Sequence, residues 1–156
     1  MSGGTPQEAL QRALRYLSFR ARSEREVRDK LRLLGFPSKT IESTLERLRT
    51  LNLLNDEQFA RTWAVTRVEG QGFGPLRIEK ELRAKGVSRS LIDQTVVEAI
   101  GPAEGRERAQ ALLEKRFANK DLRDPKVRRR VAGYLQRRGY RNSVIAEVLQ
   151  ITPDDE

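Results

Sequence analysis

The chain has 156 residues and a formal net charge of +9, from 31 Lys and Arg against 22 Asp and Glu, and it contains no cysteine and no histidine. Those two absences exclude disulfides, thiolate metal sites, Ser–His–Asp and Cys–His catalysis, and the usual zinc and haem ligand sets. With 37% hydrophobic and 34% charged residues, the composition favours small helices burying one stripe each over a single large core.

The opening MSGGTPQE lacks the apolar region of a signal peptide, and no stretch reaches the length of a membrane span. A cytoplasmic protein with no membrane partner is expected. The positive surplus favours an anionic partner without saying which one.

Ala13, Leu14 and Leu17 mark a first helix. Ser23 with Glu26 makes a capping box that opens a second, whose buried stripe is Val27 and Leu31 at i and i+4. Gly35 then falls at C′, where a left-handed conformation ends the helix, and Phe36 at C″ packs back on Leu31. A third helix carries Ile41 and Leu45. Asn55, with Gln58 at N3, opens the next helix, with Leu54 placed to staple against Phe59. Phe59 and Trp63 lie four apart on one face and read as core rather than as a platform for bases.

GQGFGP, residues 70–75, has neither Walker nor dinucleotide spacing and reads as a flexible link. Gly74–Pro75 places proline near N1 of a further helix, and the earlier pattern returns as Ile78, Leu82, Gly86, Val87, Ile92 and Val96. Ala109, Leu112, Leu113 and Phe117 mark another helix. Asp124–Pro125 opens the last pair, which carries Val131, Leu135, Gly139, Tyr140, Ile145 and Leu149. The frame thus returns after 51 and then 53 residues, from 27 to 78 to 131. The fold class is therefore all-α, with three tandem three-helix repeats over 1–54, 55–104 and 105–156, each stabilised by stacking on its neighbours.

No catalytic constellation and no cofactor site follow from the residues. Asp121, Asp124 and the tail Asp154–Asp155–Glu156 read as helix-start acids and a solvated terminus, because a hard cation needs converging oxygens. The candidate binding residues are cationic. Arg25, Arg28 and Arg32 form a short stripe in the first repeat. Arg77 and Arg83, with Lys80 and Lys85, spread among Glu79 and Glu81 in the second. In the third, at about 100° per residue, Lys126, Arg129, Arg130 and Arg137 gather around Gly133, opposite Val127, Val131, Tyr134 and Leu135. Arg138 follows at the helix end. Residues 106–156 hold 13 cations against 8 acids. This last stripe is either a solvated face or a grip on a polyanion, and the residues alone leave both open.

LNLLNDEQFA (51–60) followed by GPLRIEKELRAKGV (74–87) resembles the signature of the RecX family of regulatory proteins. The matching positions are Leu54, Asp56, Phe59, Ala60, Gly74, Ile78, Glu81, Leu82, Lys85 and Gly86. RSEREVRDKL (22–31) is similar to the opening of the family's first unit, with Val27 where Leu is usual. The third unit matches mainly through its frame. The resemblance implies that the repeats form an elongated, curved, solenoid-like body, a non-enzymatic modulator that lies in the groove of the RecA–DNA filament and suppresses ATPase, strand exchange and coprotease activity. It implies the RecA filament and DNA as partners, and it supplies no catalytic or single-residue binding motif. The rival readings are a free-standing nucleic-acid-binding protein acting without RecA and a helical adaptor for an acidic protein.

Overall fold

The capping residues place the helix starts. In a computed structural model, which describes residues 4–150, Thr5 caps α1 (Pro6–Phe19), Ser23 caps α2 (Glu24–Leu33), and α3 (Ser38–Thr50) follows Pro37. The second repeat comprises α4 (Asp56–Gln71), α5 (Pro75–Ala84) and α6 (Arg89–Ile100). The third comprises α7 (Arg106–Arg116), α8 (Pro125–Arg138) and α9 (Asn142–Gln150). No strand occurs among the described residues, and the chain is all-α, built of three tandem three-helix repeats. The acidic tail Asp154–Asp155–Glu156 lies outside the described residues.

Each middle helix ends in the same turn. Gly35, Gly86 and Gly139 take φ of 90°, 80° and 98°. The N–H groups of Phe36, Val87 and Tyr140 donate to the carbonyls of Leu31, Leu82 and Leu135, each at 3.1 Å. The glycine N–H groups donate to Arg32, Arg83 and Gln136, each at 3.0 Å. This is a Schellman cap formed three times over.

Three separate cores follow from the three stripes. Val27, Leu31, Ile41 and Leu45 bury against Ala9 and Ala13; Ile78, Leu82 and Ile92 against Phe59, Ala60 and Ala64; and Val131, Leu135, Ile145 and Leu149 against Ala109 and Leu113. In every repeat the third helix packs against both of the others. Each fully buried Leu, Ile or Val contributes about 1.5–3 kcal/mol.

Three local expectations change. Leu14 is 39% exposed, because α1 buries Ala9 and Ala13 on a face about 100° away. Leu54 belongs to the first core and Phe59 to the second, so the expected staple closes the first repeat instead. The 70–75 link is packed. Gly72 ends α4 at φ 67°, Phe73 is buried, and Gly74 caps α5 while touching the third repeat.

That touch is one of two equivalent junctions, each made by the end of one middle helix and the start of another. At the first, the C-terminal turn of α5 meets the N-terminus of α2. Ser23 Oγ donates to the Lys85 carbonyl at 2.6 Å, and Lys85 Nζ lies 3.4 Å from Glu26 Oε2. At the second, the turn after α8 meets the N-terminus of α5. The Gly74 and Leu76 N–H groups donate to the carbonyls of Arg138 and Gly139 at 2.7 and 2.9 Å. Arg77 Nη1 donates to the Arg137 carbonyl at 3.2 Å, and the Tyr140 hydroxyl donates to the Gly72 carbonyl at 2.9 Å.

A helix start has spare N–H groups and a helix end has spare carbonyls, so such an abutment satisfies both and aligns their dipoles. The approach is close. A Cβ on Gly86 would sit 2.5 Å from the Cβ of Arg25, and one on Gly139 would sit 2.5 Å from the Arg77 nitrogen. Burial at the second junction pushes the Tyr140 hydroxyl up to about 12. At the first, burial pushes the Glu26 carboxyl up, but the Ser23 N–H, Arg20 and Lys85 outweigh it and hold the group below its ordinary value.

A candidate polyanion-binding cleft in the third repeat

Asp124 Oδ1 accepts the Lys126 N–H at 2.9 Å and starts α8 with Pro125 at its first position. The register this sets buries Val127, Val131 and Leu135 in the core. The opposite face carries Lys126, Arg129, Arg130 and Arg137 around Gly133, and no acid lies between Pro125 and Arg138. A Cβ on Gly133 would meet only Arg137 Nη1, at 3.2 Å, so the helix surface is hollow there.

A cleft of about 770 Å³ opens over that hollow, its other wall formed by Arg116, Phe117 and Lys120 from the end of α7. Phe117 meets Tyr134 edge to face, with ring centroids 5.8 Å apart, and the two form an apolar floor. The Arg116 guanidinium lies 5.0 Å from the Tyr134 ring centroid. Among the described residues, none of Arg116, Lys120, Lys126, Arg129, Arg130 and Arg137 forms an ion pair with a carboxylate. Cations left without acids in a concave surface attract polyanions, and arginine forks bind phosphate oxygens in pairs.

All but one of the other predicted residues are committed elsewhere. Arg28 Nε donates to Glu42 Oε1 at 2.9 Å, and this bond draws the exposed Glu42 carboxyl below its ordinary value. Arg32 and Arg25 lie 3.4 and 3.8 Å from Asp29. Arg77 lies 3.4 Å from Glu81, spans the second junction and covers the Phe73 ring at 4.3 Å. Arg138 donates to the Gln71 carbonyl and stands 5.2 Å from the Tyr134 centroid. Arg83 is exposed and lies outside the cleft.

Arg116 and Lys120, which flank Phe117 in KRFANK, are not among the residues the sequence singles out; Arg116 ends α7, and Lys120 lies in the non-helical segment after it, where no periodicity aims a side chain. Tyr134, expected on the core side, packs against the third core and also floors the cleft. Phe59 and Trp63 stack at 5.9 Å, with Phe59 buried and Trp63 held by a 3.0 Å hydrogen bond from its indole N–H to Glu81. Asp124 is the helix-start acid of α8, whereas Asp121 accepts the Arg123 N–H at 2.9 Å within the turn before it and starts no helix. Among the described residues no cluster of His, Cys, Asp and Glu could hold a metal, and no helix is long and apolar enough to cross a membrane.

Fold and cleft define a tandem helical-repeat protein that carries a cluster of unpaired cations. Models of the first, second and third three-helix domains of RecX match residues 9–48, 55–96 and 104–149. The chain is 34% identical to the regulatory protein RecX of Mycolicibacterium smegmatis over 143 residues, 88% of this chain and 76% of that one. It is also 34% identical to the regulatory protein RecX of Trichlorobacter lovleyi over 147 residues, 93% and 96% of the two chains. The crystal structure of RecX from Lactobacillus salivarius matches at a TM-score of 0.82 and 26% identity, covering 93% of this chain and 94% of that one. The chain belongs to the RecX family of regulatory proteins.

Proposed function

We propose that this protein is a non-enzymatic, cytoplasmic regulator that binds the RecA–DNA filament and inhibits RecA ATPase, strand exchange and coprotease activity. Its setting would be recombination, DNA repair and the SOS response. The observation that carries the reading is the third-repeat cleft, where Lys126, Arg129, Arg130 and Arg137 pair with no carboxylate among the described residues, in a chain of this family. The cleft meets the DNA phosphates held in the filament or an acidic surface beside them. A row of three repeats spans more than one subunit and opposes the rearrangements that ATP turnover and strand exchange require. Several weak contacts on one body add up through avidity.

The test is RecA ATPase on single-stranded DNA with the protein titrated in, for the wild type and for Lys126, Arg129, Arg130 and Arg137 all changed to Glu. The wild type is expected to inhibit, and the variant to lose inhibition. A variant that still inhibits and still binds DNA removes the role given to the cleft. Equal affinity for filaments and for naked single-stranded DNA at matched salt favours a free-standing nucleic-acid-binding protein.

A further inference from the structure

The middle-helix turn is used twice as a docking element, and a third time none of the described residues sits on it. The turns after α5 and α8 each seat the N-terminus of the preceding repeat's middle helix, through Ser23 in one case and through Gly74, Leu76 and Arg77 in the other. The turn after α2 has the same Schellman geometry, with Gly35 at φ 90°. Here no described residue lies within 4 Å of the position a Cβ would take, whereas the equivalent positions on Gly86 and Gly139 are blocked by Arg25 and Arg77. Among the described residues, no group donates to the carbonyls of Leu34 or Gly35.

The rim of this turn also differs. Leu33 is 82% and Leu34 38% exposed, where the occupied turns carry Ala84–Lys85 and Arg137–Arg138. An apolar rim around unpaired carbonyls repels phosphate and suits a protein surface that brings N–H donors. A second copy of this chain fits poorly. The matching helix start is that of α8, where the Asp124 carboxylate already holds the Lys126 N–H and turns an acceptor toward incoming carbonyls.

We propose that the Gly35 end of α2 docks the N-terminus of an α-helix on another protein. On the proposed function, on which this inference rests, that protein is a RecA subunit of the filament. The junctions run from α8 to α5 to α2, so the Gly35 end and the cation cleft lie in opposite end repeats. A partner that engages both must be long, as a filament is, and each contact then raises the effective concentration of the other.

The test compares wild type, Gly35→Asn and Leu33→Ser for binding to RecA–single-stranded DNA filaments and to naked single-stranded DNA. Asn tolerates a left-handed backbone and meets open space in the isolated chain, yet its side chain blocks a docked helix. Leu33→Ser leaves the turn untouched and decides the matter if Gly35→Asn fails to fold. The expected result is filament affinity lowered about tenfold by Gly35→Asn and a few-fold by Leu33→Ser, with naked-DNA affinity unchanged. Unchanged filament affinity in folded variants overturns the docking end alone. A wild type with no preference for filaments overturns the functional reading and the docking end with it. Self-association of the wild type that Gly35→Asn abolishes gives the end to a second copy and overturns the choice of partner.

Discussion

The Gly74 amide donates to the Arg138 carbonyl at 2.7 Å across 64 positions of sequence, joining the start of α5 to the end of α8. Ser23 and Lys85 make the matching bond between α2 and α5 through a side chain rather than an amide. The repeats are therefore locked through helix ends, while their three hydrophobic cores stay separate.

Glycine substitutions separate the turn from the junction. Gly35→Ala is expected to cost about 1–2 kcal/mol, the strain of a left-handed backbone alone. Gly139→Ala adds a collision with Arg77 and is expected to cost at least about 3 kcal/mol. Urea unfolding of both variants measures the difference, and equal losses would refute the junction.

Glu26 makes the first junction sensitive to acid. Its native carboxyl titrates below its ordinary value of 4.5. The unfolded chain takes up that proton first as pH falls, so the contribution is complete above about 4.5 and is lost as pH drops through the native value. Glu26→Gln is expected to lower neutral-pH stability by about 1–2 kcal/mol and to flatten the acid limb of the stability profile. Chemical denaturation from pH 3 to pH 7 checks both.

Tyr140 acts at the other end of the scale. The native hydroxyl is pushed up to about 12, from an ordinary 10.0, while the unfolded one ionises at its ordinary value. Its contribution is present below pH 10 and declines as pH rises toward 12. Tyr140→Phe leaves the Gly72 carbonyl without its donor and is expected to cost about 1–2 kcal/mol at neutral pH. Ultraviolet titration of the three tyrosines follows the native ionisation directly.

Gly133 distinguishes cleft from scaffold. Gly133→Ala is expected to stabilise α8 by about 0.5–1 kcal/mol, since Gly is a poor residue for a helix interior, and to leave binding nearly intact. Gly133→Glu puts a carboxylate among Lys126, Arg129, Arg130 and Arg137. It is expected to keep the fold and weaken filament and DNA binding by about tenfold. Thermal unfolding and fluorescence anisotropy on the same samples separate the two effects.

Most of the fold was legible because its determinants are local. Val27, Leu31, Gly35 and Phe36 lie within ten positions, and their counterparts keep the same spacing, so stripe, cap and turn could each be read from the neighbours. The site was legible only in part, because whether a cation is free depends on acids brought from elsewhere. Arg28 is paired by Glu42 from α3, and Arg138 is drawn to Gln71 in another repeat. Arg116 enters the cleft from the last position of α7, and Lys120 from the segment after it, which has no periodicity. Gly72 and Gly74 looked like slack because glycine marks both a flexible link and a close backbone approach, and only the fold tells which.

The central claim is that unpaired cations of the third repeat, and not the acid-paired ones of the first, engage the filament. Its most direct test is the salt-dependent affinity for RecA–single-stranded DNA filaments of two matched double variants, Arg129→Gln with Arg130→Gln and Arg28→Gln with Arg32→Gln. The third-repeat pair is expected to weaken binding about tenfold and to flatten the log–log salt slope by about 0.7 for each phosphate no longer neutralised. The first-repeat pair is expected to stay within about twofold of wild type, as exposed ion pairs contribute little. Equal losses from both pairs, or no loss from Arg129 and Arg130, would contradict the account.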